Sequence, residues 1–150
     1  MISYLDDIIK AISNSNIRRD MNSITQATHI AIGAQSNDHS AEIAGVSSKQ
    51  FFTDALTFTR TQLLVTEYYR LDVTSNFWDV YNIEAEALGQ RVIYPKKGIP
   101  DTDRTQPLIR RPSDLDQVKP PDPYKSGRMP WVREINKNFI DMKGQLERVY

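Results

Sequence analysis

The chain has 150 residues, 39% of them hydrophobic and 25% charged, which is enough for one domain with a real core. Nineteen basic side chains balance nineteen acidic ones, so the uniform positive field that holds a protein on nucleic acid or anionic lipid is excluded. With no cysteine, disulfides, a thiolate nucleophile and sulfur-ligated zinc are ruled out within this stretch, and His29, His39 and carboxylates remain as metal ligands.

In chain order, Tyr4, Leu5, Ile8, Ile9 and Ile12 share one helical face behind a Ser3/Asp6 capping pattern, predicting a short amphipathic helix. Ser13-Asn-Ser-Asn16 breaks it, and a second helical segment is expected from Ile24 to Ile32, before Gly33. Asp38 to Ala44 predicts one or two turns ended by Gly45. Ser47 with Gln50 forms a capping box for a helix over residues 49–52, and Asp54 caps a longer one with Leu56, Leu64, Tyr68 and Leu71 among its apolar positions. Residues 73–79 and 91–94 favour strand and flank a helix over Glu84 to Leu88 that stops at Gly89. Helix, strand, helix, strand predicts an α/β layout.

All eight prolines follow Tyr94, and charge divides at the same place: residues 1–90 carry 6 basic and 11 acidic groups, residues 91–150 carry 13 and 8. The chain is thereby parsed into a helical lead-in (1–72), a strand-helix-strand unit (73–94), a Pro-rich connector (95–125) and a final helix (126–150). The connector is read as loop with one short helix capped by Ser113 and Asp116, and its Arg104, Arg110, Arg111 and Lys119 as solvated charges. In the final helix Val132, Ile135, Phe139, Met142, Leu146 and Val149 recur at spacings 3, 4, 3, 4, 3. Such a stripe suits a helix lying on its own core, and also a pairing seam for a second copy or a complementing chain over residues 130–149.

Asp79 is the candidate catalytic residue, because it stands where a predicted strand ends, the edge at which α/β folds place their chemistry. Phe77, Trp78 and Tyr81 around it are the candidate substrate-binding wall, and His39, in a polar segment before a helical turn, is a further candidate for a pocket wall. Glu84 and Glu86 are explained by helix-dipole preference alone. His29 and His39, ten residues apart, do not make a metal site by spacing, so no metal ligands are assigned. No segment has the ~18 apolar residues of a membrane span and the N-terminus lacks a signal-peptide order, so a cytoplasmic location is expected, with neither membrane nor nucleic acid as partner.

The series Asn76-Phe-Trp-Asp-Val-Tyr-Asn-Ile-Glu-Ala-Glu-Ala-Leu-Gly89, Arg91-Val-Ile-Tyr-Pro95, Pro112-Ser-Asp-Leu-Asp-Gln-Val-Lys-Pro-Pro-Asp-Pro123 and Gly127-Arg-Met-Pro-Trp131 resembles the uroporphyrinogen decarboxylase superfamily, which includes the cobamide-dependent methyltransferases. The resemblance covers roughly residues 40–146 and implies the N-terminal part of a (β/α)8 TIM-type barrel, incomplete by itself because such barrels run to about 250 residues. It makes Phe77-Trp-Asp-Val80 the counterpart of the decarboxylase aspartate motif. The Arg-rich N-terminal signature that grips the decarboxylases' polycarboxylate substrate has no counterpart, since Arg18-Arg19 lacks its surroundings. Glu84-Ala-Glu-Ala-Leu-Gly89 is closer to the methyltransferase branch, which implies methyl transfer between a corrinoid and a thiol or similar acceptor, with a corrinoid or zinc in a complete family member and no cofactor held by this segment alone. Decarboxylation, and a non-catalytic subunit pairing through the final helix, are the alternatives.

Overall fold

The computed structural model describes residues 32–74, 79 and 81–146, with side chains followed to residue 142. The helices expected over Tyr4–Ile12 and Ile24–Ile32, and His29, Phe77, Trp78 and Val149, lie outside the described residues, Ile32 excepted.

Helix α1 (Asn37–Ala44) ends on Gly45, whose φ of 66° lets the next amides return to the Ala41 and Glu42 carbonyls. Helix α2 (Ser48–Thr53) starts at Ser47, which accepts from the Gln50 amide, and α3 (Ala55–Tyr68) starts at Asp54, which accepts from the Thr57 amide. All three sequence signals are realised. Helix α3 runs through the middle of the bundle and is buried on most sides. Its apolar face departs from expectation: Leu56 and Tyr68 are exposed, whereas Thr59, Thr61, Gln62 and Thr66 are buried. Thr59 and Thr66 tolerate burial by donating to the carbonyls of Ala55 and Gln62 one turn back, and Gln62 accepts from Ser40 of α1.

The core joins α1, α2 and α3 to α4 (Asn82–Ala87) and α5 (Met129–Leu146) through Phe51, Phe52, Phe58, Ile83, Trp131 and Ile135. Phe58 meets Trp131 edge-on at 5.3 Å and Phe51 at 4.7 Å. Along α5, Ile135 is fully buried and Val132 and Phe139 pack against the same core, so this part of the 3-4 stripe lies on the chain's own helices.

Of the strand expected over residues 73–79, residues 73, 74 and 79 are among those described. Among the described residues, Val73 forms a single parallel bridge with Gly33, supported by Asp72 and Val73 amides on the Ile32 carbonyl. The second strand, β1 (Val92–Ile93), pairs with β2 (Asp101–Thr102) and antiparallel, as suits a short local connection turning at Gly98. The connector also holds a 3-10 helix, Pro112–Gln117, and its start is fixed by Asp114 accepting from the Arg110 and Arg111 amides, not by Ser113 or Asp116.

Candidate functional site

Asp79 sits just ahead of α4, and its side chain has no exposed surface. Asn82 Nδ2, from the first turn of that helix, donates to Asp79 Oδ1 at 2.7 Å and to the Pro100 carbonyl at 2.9 Å. Arg128 Nη2 donates to Asp79 Oδ2 at 2.6 Å, Nη1 to the Phe52 carbonyl at 3.1 Å, and Nε to Glu86. The guanidinium also lies 5.3 Å from the Tyr94 ring centroid and 5.6 Å from that of Trp131. A buried carboxylate whose charged partner is itself held by further hydrogen bonds is the form in which a buried ion can persist.

Position 127 makes this possible. Gly127 has φ 49°, and a Cβ there would lie 2.8 Å from the Ala87 nitrogen, so only glycine brings the connector against the end of α4 and delivers Arg128 between Asp79 and Glu86. The preceding turn is held by Ser126 Oγ accepting from the Asp122 amide and Asp122 Oδ1 accepting from the Tyr124 amide.

The charges of the cluster set its protonation. Burial opposes the charge on Arg128, but the hydrogen bonds it donates to Glu86 and Asp79 outweigh it and hold the guanidinium above its ordinary value. Burial pushes the Tyr94 phenol up to about 12; Arg128 pulls it down, and Glu86 and Asp79 push it further up.

Beside Asp79 opens a cavity of about 260 Å³ with Ile83, Pro123, Met129 and Val132 as apolar walls and Glu84 and Arg133 as its other charged members. Of the expected site residues, the structure thus puts Asp79 in a cavity wall. Tyr81 is exposed, neither it nor His39 lines this cavity, and His39 Nε2 is hydrogen-bonded to the Tyr69 hydroxyl at 2.7 Å with the rings stacked at 5.8 Å. Arg128, the central residue of the cluster, was not singled out from sequence; the available signal was its place in the Gly127-Arg-Met-Pro-Trp131 run, a charge flanked by a glycine and an apolar helix start. Among the described residues no group of three or more His, Cys, Asp or Glu side chains could hold a metal ion, and a His/Cys zinc centre does not fit a chain without cysteine.

The buried Asp79–Arg128 pair and the cavity beside it thus lie at the start of α4, after the parallel bridge between Gly33 and Val73. The family model for uroporphyrinogen decarboxylase (URO-D) matches residues 25–145, and the chain belongs to that family. None of the curated proteins and none of the solved structures compared with it matches the chain. The family implies a TIM-barrel-like fold; the described residues form a helix-rich unit with one parallel bridge and one two-stranded sheet, and no closed barrel is formed among them. Among the described residues no helix is long and apolar enough to cross a membrane.

Proposed function

We propose that the chain supplies the N-terminal part of a URO-D-like enzyme of the corrinoid-dependent methyltransferase branch, transferring a methyl group between a corrinoid and a thiol or similar small acceptor. The observation that carries this reading is the cavity beside Asp79. At about 260 Å³ it is smaller than the roughly 300–1,000 Å³ of sites for drug-sized ligands, its walls are apolar, and Arg133 is its only lining cation among the described residues. A macrocycle bearing many carboxylates needs more room and several cations; a small acceptor does not. In this reading Asp79, its carboxylate buried behind the wall against Arg128 and Asn82, acts as a positioning residue that fixes the start of α4, and with it Ile83 and Glu84 of the cavity lining. Zinc of the His/Cys type does not fit this chain's residues, so thiol activation by zinc belongs to residues supplied by the rest of a complete enzyme or by a complementing chain.

The test offers the protein, with whatever chain co-purifies with it, methylcobalamin and 2-mercaptoethanol in one assay and uroporphyrinogen in another. Methyl thioether formation, followed by mass spectrometry, without loss of uroporphyrinogen carboxylates is expected. Decarboxylation would replace this reading with the decarboxylase one. Asp79→Asn is expected to reduce methyl transfer at least about tenfold, ~1.4 kcal/mol of barrier, with secondary structure retained; unchanged turnover would remove Asp79 from the site.

A further inference from the structure

The cavity carries a statement about ligand charge as well as size. Arg133 lies with its guanidinium carbon 3.8 Å from the centroid of the Tyr124 ring. Stacking occupies the face of a guanidinium and leaves its in-plane N–H edge available. Arg91, Arg104, Arg111 and Arg128 each pair with a carboxylate, whereas Arg133 has none among the described residues. A cation already held in place at an apolar cavity, and in no ion pair with a carboxylate among the described residues, is matched by an anion at one end of an apolar body.

Glu84 lines the same cavity and opposes any anion there, and the planar edge of Arg133, with its two parallel N–H donors, is matched by the two coplanar oxygens of a carboxylate. We propose that this cavity binds small monocarboxylates with a compact apolar body, the carboxylate on the free edge of Arg133 and the body among Ile83, Met129 and Val132. The inference rests on the same cavity as the proposed function and names the class of acceptor that would enter it.

Phenylacetate is the probe, titrated into the full chain and read by two-dimensional NMR at the methyl groups of Ile83, Met129 and Val132 and at the Arg133 Nε–H. Shifts at these positions are expected, with affinity at least about tenfold weaker in Arg133→Gln, the loss that follows from removing a charge-assisted hydrogen bond. Arg133→Lys keeps the charge without the fork and is expected to fall between; Glu84→Gln is expected to bind more tightly. Undiminished binding by both Arg133 variants, equal binding of benzylamine, tighter binding of phenyl phosphate, or no shifts at these groups would each overturn the proposal. Because the readout is binding, its failure leaves the methyl-transfer assay standing, and failure of that assay leaves the ligand class standing.

Discussion

At the scale of single residues the molecule turns on Arg128. Its three hydrogen-bonding edges are committed to Asp79, Glu86 and the Phe52 carbonyl, so truncation leaves a fully buried carboxylate without its cation. Arg128→Ala is expected to cost about 3–5 kcal/mol, measured by urea unfolding, because breaking a buried pair strands the remaining charge. Gly127→Ala forces a left-handed residue, about 1–2 kcal/mol, and in addition a clash with the Ala87 backbone, so chemical denaturation should show a loss larger than that for an ordinary surface substitution. Tyr94 reports on the same cluster. Its phenol, pushed up from 10.0 to about 12, should be among the last tyrosines to ionise in an ultraviolet titration. The sign for stability follows: the unfolded chain loses this proton first, so the contribution is complete below about pH 10 and is lost as pH rises from 10 through 12.

At the scale of elements, caps decide where helices begin. Asp54 both ends α2 and starts α3, accepting from the Thr57 amide at 2.6 Å while its own amide donates to the Gln50 carbonyl. Asp54→Ala is expected to cost about 1 kcal/mol by thermal or urea unfolding, and Asp54→Asn much less, because the asparagine oxygen still accepts. These features were legible in the sequence because capping is local: Ser47 with Gln50, Asp54 and Gly45 carry their partners within four residues. The 3-4 repeat of the last helix was legible too, and over its described part, Met129–Leu146, the helix puts Val132, Ile135 and Phe139 on the core. What depends on distant partners was not. The polar buried face of α3 reads as solvent-facing until Ser40 and the helix's own carbonyls are placed against it. Residues 91–94 announce a strand but not its partner, and β1 pairs with Asp101–Thr102 instead of joining a parallel layer. At the site, Asp79 stood out in the sequence as a carboxylate just ahead of a helix, but Arg128 lies 49 residues away and only packing reveals it.

At the scale of the whole molecule, equal numbers of acidic and basic groups and a pI near 6.7 leave little net repulsion between copies around neutral pH. Solubility is expected to pass through a minimum near that pH and to rise on either side, a dependence that precipitation assays across pH 5–9 would show. The α5 residues Val132, Ile135 and Phe139 are committed to the internal core, so any pairing of chains through residues 129–142 has to use the other face, where Ile140 is exposed.

The clamp around Arg128 also has a consequence in time. Its links to Glu86, Asp79 and the Phe52 carbonyl span 42, 49 and 76 residues, so closing them requires large loops to be drawn in before any pairing energy is returned. Contacts that form after the rate-limiting crossing slow escape from the native state without hastening arrival. Stopped-flow chevrons of Arg128→Ala should therefore show the unfolding limb raised and the refolding limb nearly unmoved, making this cluster the latch that sets how long the folded chain lasts once made.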